Sequence, residues 1–307
     1  MRNIFAETLY KLAKEDPRIY IVVADISPAG SMTKFRQEFP ERFINVGTAE
    51  QVMIGMCAGL ALKGMRPFAY TIATFSLYRP FEMVRDDLGY QNLPVTVVGI
   101  GGGVIYSTLG GTHYAQEDIA VAGTIPNMSI IAPCDPSEAA AATKYAAQRS
   151  DGGPLYLRFG KAGEPTITGQ AQDPFEFGKV RYLYRGSDVA VLSYGVIMTM
   201  AAEVAEELKA VGNSVSLIAC HTLKPLDYAG IAEILERHGK VIVIEEHVPQ
   251  GGLASQTKQV AWDIGTKCKL DTFTLKDEFL HCYGDHNDIL EAHGLSVGLI
   301  LEKIRRP

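Results

Sequence analysis

Glu50 is a lone carboxylate at the head of a run that is otherwise small and apolar, Glu50-Gln-Val-Met-Ile-Gly-Met-Cys-Ala-Gly-Leu-Ala-Leu62. A carboxyl set among such neighbours resists ionising, which keeps a group able to trade a proton at neutral pH. A solvated Glu in a first helical turn needs no chemistry, since it merely favours the positive end of the helix dipole. The density of small residues behind Glu50 sets it apart from that case. His113, in Leu109-Gly-Gly-Thr-His113, stands in a glycine-rich loop beyond an apolar strand, where α/β sheets present reactive groups. Phe75 and Tyr78 lie three apart just after another strand, as core packing or as flat faces on which a planar heterocycle would stack. Arg158, at a strand end, is either an ion-pair member or a fork for a carboxylate, phosphate or sulfonate.

These residues need elements to hold them. Phe43 to Val46 is extended, Gly47 punctuates it, and Thr48 followed by Gln51 has capping-box spacing, which predicts a helix from there to about Leu62. Apolar runs predict strands at 19–24, 66–72, 94–99, 128–132 and 154–158. Helical spacing covers 3–14, 31–39, most of 74–88, a short stretch from about 116, and 136–148. Residues 161–180 turn to Gly, Pro, Thr and Gln and read as a connection. A second series follows, with strands at 188–193, 214–219, 240–245 and 270–275, and helices over 198–210, 227–238, from 253, and within 287–304. Such alternation predicts an α/β protein of two three-layer domains with mainly parallel sheets, at 1–165 and 180–307.

Composition narrows the classes. A chain of 307 residues with 47% apolar and 21% charged residues has room for two cores. A net charge of −6 argues against a nucleic-acid or membrane-surface role, and no apolar run reaches membrane-spanning length. Five cysteines without a CxxC pair, and an N-terminus that enters a helical pattern directly, point to a cytoplasmic location. Gly99-Ile-Gly-Gly-Gly103 puts Val104 where a dinucleotide fingerprint needs its third glycine. That leaves a tight turn or a loop lying against a ligand, and nearby His113 favours the ligand. His221, His247, His281, Cys282 and His286 have no recognised metal-ligand spacing.

Longer stretches carry a resemblance. Phe43-Ile-Asn-Val-Gly-Thr-Ala-Glu-Gln51, Gly55 to Leu62, Arg66-Pro-Phe-Ala-Tyr-Thr-Ile-Ala-Thr-Phe75, Tyr90-Gln-Asn-Leu-Pro-Val95 and Gly111-Thr-His113 resemble the pyrimidine-binding domain of the transketolase family. Leu223-Lys-Pro-Leu-Asp227, Glu245-Glu-His247 and Gly251-Gly-Leu253 are similar to its C-terminal domain. The resemblance implies that Glu50 bonds the aminopyrimidine of thiamine diphosphate and promotes its reactive imino tautomer. Phe75 and Tyr78 would stack on that ring, and His113 would contact substrate near the reacting carbon. It implies transfer of a two-carbon ketol unit from a ketose to an aldose.

The family's diphosphate-binding domain, with the Gly-Asp-Gly motif that holds Mg²⁺, has no counterpart in this sequence. A separate N-terminal subunit is therefore expected to supply the metal and diphosphate ligands, in an α2β2 assembly. Leu109 stands where the family has a sugar-reading aspartate, and Gly101 where it has a phosphate histidine. Its phosphate serine falls at Ala29, beside Ser27 and Ser31, and Arg158 matches its phosphate arginine. Arg158 and Ser27 are thus expected substrate ligands, for a modified or sulfonated sugar. The runner-up readings are a 2-oxo acid dehydrogenase β subunit, a deoxyxylulose-phosphate-synthase-like enzyme, and a non-catalytic scaffold.

Overall fold

Strands that are apolar along their whole length must be covered on both faces, and the computed structural model, which describes residues 1–26 and 32–305, stacks them into two such sheets. The first unit runs α1 (Arg2–Glu15), β1 (Ile19–Val23), α2 (Met32–Glu38), β2 (Phe43–Asn45), α3 (Glu50–Leu62), β3 (Arg66–Ile72), α4 (Ala73–Leu77) and α5 (Phe81–Met83). It continues through a π-helical stretch (Val84–Tyr90) to β4 (Thr96–Ile100), α6 (Asp118–Gly123), β5 (Ser129–Ile131), α7 (Pro136–Gln148) and β6 (Leu155–Phe159). The second has β7 (Arg181–Tyr184), β8 (Val189–Ser193), α8 (Met198–Ala210), β9 (Val215–Ala219), β10 (Thr222–Lys224) and α9 (Tyr228–Arg237). It ends with β11 (Lys240–Ile244), α10 (Leu253–Ile264), β12 (Lys269–Phe273), α11 (His286–Ala292) and α12 (Val297–Arg305).

The seven-stranded sheet has the order β10-β5-β6-β4-β3-β1-β2 and the five-stranded sheet β12-β11-β8-β9-β7. Both are parallel except at one edge each. At those edges β7 runs against β9, and β10 crosses from the second unit to pair antiparallel with β5, Thr222 opposite Ile131. The protein is thus two α/β units, the second of which lends an edge strand to the sheet of the first. Neither β7, with its alternating Arg-Tyr-Leu-Tyr, nor three-residue β10 is an apolar run, so sequence patterning passes over both.

Two expectations near the site are corrected. Thr48 does not cap α3, which starts at Glu50 with Ala49 as its N-cap and no side-chain cap. The turn is fastened by Asn45, whose Oδ1 accepts from Gly47 N at 3.0 Å and Asp25 N at 3.1 Å. The helix expected over 74–88 is broken at residues 78–80, where Pro80 keeps the residue before it out of a continuing helix. That break places Arg79 on a turn facing the start of α3. Met53, Ile54 and Cys57 of α3 are fully buried in one cluster with Val22, Ala69 and Val97 of the sheet, so the position of Glu50 is fixed from below.

Candidate active site

Glu50 is 3% exposed, and its carboxylate is not alone among apolar side chains. Arg79 Nη1 donates to both its oxygens, at 3.0 and 3.2 Å. The same guanidinium lies over the Phe75 ring, 4.1 Å from the centroid. His113 meets Phe75 edge-on at 5.2 Å and Tyr106 at 6.4 Å. Burial, and then the charge of Arg79, hold the His113 imidazole below its ordinary pKa. Glu50, Phe75 and His113, from three separate stretches of sequence, therefore meet around a guanidinium that sequence reasoning did not single out.

The elements explain the convergence. Phe75 sits in α4 directly after β3, and Thr74 Oγ1 ties that helix to the His113 loop by donating to Tyr114 O at 2.9 Å. The loop is clamped at its root, where Gly103 and Ala115 exchange backbone hydrogen bonds at 3.0 and 2.8 Å. Its glycines answer to protein neighbours. A side chain at Gly101 (φ +76°) would collide with the Tyr106 ring, one at Gly102 with Arg158, and one at Gly103 (φ +73°) with Glu246. The expectation that this backbone lies against a ligand is thus replaced by close packing within the chain. Glu246 completes the clamp by accepting from Val104 N at 2.6 Å and pairing with His286 at 2.9 Å. Burial pushes the Glu246 carboxyl pKa up, but His286 chiefly, with Arg158, outweighs it and holds it down.

Two sequence expectations do not survive the geometry. The Tyr78 ring packs on the core and its hydroxyl donates to Glu117 Oε2 at 2.8 Å, which ties it to the chain's own core and not to a stacking position. Arg158 is 4% exposed, and its Nε donates to Asp118 Oδ2 at 2.8 Å while Nη2 donates to Glu246 O at 3.0 Å. Burial opposes the Arg158 charge, yet Asp118 outweighs it and raises its pKa. It is an ion-pair member, with Nε and Nη2 both committed within the chain. A second exposed cation on this side, besides Arg79, is Lys161, three residues on from Arg158, with Nζ 5.3 Å from the Tyr106 ring centre. Ser27 lies outside the described residues.

Residues 1–163 match the model of the transketolase pyrimidine-binding domain, and residues 178–298 that of the transketolase C-terminal domain. The chain belongs to the transketolase family. Among its relatives within that family, an apulose-4-phosphate transketolase subunit of Phocaeicola vulgatus is 34% identical over 83% of this chain and 81% of its own length. The 6-deoxy-6-sulfo-D-fructose transketolase subunit SqwH of a Clostridium strain is 32% identical over 87% and 81%. The 1-deoxy-D-xylulose-5-phosphate synthase of Geobacillus thermodenitrificans is 34% identical over 99% of this chain, which spans 48% of that protein. A solved structure described as a split-gene transketolase, inactive β4 tetramer, superposes with a TM-score of 0.89 at 32% identity, covering 99% of this chain and 96% of that one.

Among the described residues no three or more His, Cys, Asp or Glu side chains gather to hold a metal. No helix among them is long and apolar enough to cross a membrane.

Proposed function

We propose that this chain is the C-terminal subunit of a split, thiamine-diphosphate-dependent transketolase, moving a two-carbon ketol unit from a ketose to an aldose. The observation that carries the reading is a buried Glu50 carboxylate beside the Phe75 ring, with His113 edge-on to that ring. The fit is good for one half of the cofactor. A planar aminopyrimidine would stack on Phe75 and hydrogen-bond Glu50, to which the family resemblance assigns the proton exchange with the ring. When bound, thiamine diphosphate supplies the carbanion chemistry that breaks and remakes the carbon–carbon bond. His113, whose depressed pKa keeps it neutral near pH 7, would accept or donate one hydrogen bond at the sugar. Lys161 takes the anion-binding role first expected of Arg158, toward a phosphate or sulfonate at the sugar's far end.

On this reading the other half, the diphosphate and Mg²⁺, falls to ligands outside this chain; the described residues gather no three His, Cys, Asp or Glu side chains for a metal. A separate N-terminal subunit would supply those ligands, in an α2β2 assembly. The outer face of α3 supports this. Val52 is 53% exposed and Met56 36%, and around would-be side chains at Gly55 and Gly59 there is nothing within 4 Å. A helix face that is apolar, small and open suits close approach by another chain. Five free cysteines, three of them buried, support a reducing, cytoplasmic location.

The test is co-expression with a candidate N-terminal subunit, followed by ketol-transfer assays with thiamine diphosphate and Mg²⁺ over ordinary, phosphorylated and sulfonated sugars. Glu50→Gln is expected to leave assembly intact and lower kcat at least about a hundredfold, the scale of general acid–base contributions. Full turnover in that variant overturns the role of Glu50. Decarboxylation of pyruvate as the main reaction favours a deoxyxylulose-phosphate-synthase-like activity instead.

A further inference from the structure

The bond between Arg79 and Glu50 competes with the use of Glu50 proposed above. Resting on that reading, we infer that Arg79 is a latch. Its guanidinium fills the pyrimidine slot of the isolated chain, and the cofactor enters only by displacing it. Three observations converge. Both Glu50 oxygens already accept from Arg79 Nη1, at 3.0 and 3.2 Å. The guanidinium lies 4.1 Å over the Phe75 ring, at the distance a stacked heterocycle would need. The Arg79 side chain is 49% exposed while Glu50 is 3% exposed, so the arginine can swing into water without opening the core.

A guanidinium is planar, stacks on aromatic faces and donates to carboxylates. An aminopyrimidine held by Glu50 and Phe75 would do all three in the same place, and the two cannot be there together. The latch has a fixed base and a free end. Pro80, the N-cap of α5, follows it directly, and Gln51 Nε2 donates to Arg79 O at 3.4 Å. Apparent affinity falls by the fraction of molecules whose slot is open. An exposed ion pair combined with a cation–π contact shifts that fraction about tenfold, or about 1.4 kcal/mol. The isolated subunit would therefore hold the pyrimidine weakly. Diphosphate and metal contacts on a partner chain would supply the free energy of displacement.

The test uses the full-length isolated chain and the pyrimidine half of the cofactor alone, 4-amino-5-hydroxymethyl-2-methylpyrimidine, titrated by NMR. Arg79→Ala is expected to bind it about tenfold more tightly than the parent, with Arg79→Lys in between. In the free Arg79→Ala chain the His113 ring protons are expected to titrate at higher pH, because a neighbouring positive charge has gone. Equal or weaker binding by Arg79→Ala overturns the latch. In that case, loss of binding on Phe75→Ala shows that the pyrimidine site itself stands. Absence of binding to every variant, with no ring-current shift at Phe75 or His113, overturns the latch and the reading beneath it together.

Discussion

Arg158 keeps a full charge in the core because Asp118, 40 residues away in sequence, is buried against it at 2.8 Å and shares the same oxygen with the Tyr156 hydroxyl. Neither Asp118 nor Arg158 is more than 4% exposed, so neither can turn to water if the other is lost. Breaking such a pair leaves an uncompensated charge and costs roughly 3–5 kcal/mol. Asp118→Asn, which keeps a polar partner, is expected to destabilise the chain by about 3 kcal/mol, read as a lower denaturant midpoint at unchanged slope. A loss under about 1 kcal/mol would mean that Arg158 holds itself by backbone contacts alone. The same pair shows where reading single residues stops. Glu50, Phe75 and His113 were legible because each is an unusual residue type in an unusual local run. Arg158 was legible only as a choice between ion pair and anion fork, since the partner that decides it is brought in by the fold. Arg79 had one local sign, a cation directly before a proline, and Lys161 had none.

At the scale of the element, α3 answers to two demands that pull its sequence apart. Its inner face is packed with Met53, Ile54, Cys57 and Ala58, while Gly55 and Gly59 lie on the exposed side with open space around them. Glycine inside a helix costs about 1 kcal/mol relative to alanine, and nothing within the chain repays that cost here. Gly55→Ala and Gly59→Ala are each expected to stabilise the isolated chain by about 1 kcal/mol in denaturant melts. Each is also expected to weaken association with the partner subunit, measured by sedimentation velocity. If both variants assemble as tightly as the parent, α3 is not the contact face. Helix ends behaved similarly under sequence reading. Helix α7 was legible to the residue, because Asp135 caps it and Pro136 opens it. The start of α3 was misread at Thr48, because the turn is held by Asn45, at the end of β2, which accepts from Gly47 and reaches across to Asp25 beyond β1.

Over the whole molecule, two histidines stand where the two units are joined, and their titrations oppose each other. His221 connects β9 to β10, stacks on Phe175 at 4.2 Å, and accepts at its backbone oxygen from Ala132 N. Burial, helped by the nearby Arg181 charge, pushes its pKa down to about 3. Between about pH 6.5 and that value the unfolded chain takes up a proton that the folded chain refuses. Stability should therefore fall as pH falls, by up to about 1.4 kcal/mol per pH unit. His286, on α11, reaches Glu246 and through it the His113 loop at Val104. Burial works against its charge, but Glu246 outweighs burial and raises its pKa. Its contribution is complete below the unfolded value near about 6.5 and is lost as pH rises through the folded one. Melting temperature is thus expected to drop on the acid side of about pH 6.5, with a shallower decline on the alkaline side. His221→Gln, which has no proton to refuse, should flatten the acid limb and leave the alkaline limb unchanged. His286→Gln should flatten the alkaline limb and also loosen the His113 loop, seen as faster amide exchange at Val104. An acid limb equally steep in His221→Gln would assign the loss to other groups, His113, His293 or carboxylates, and remove His221 from the account.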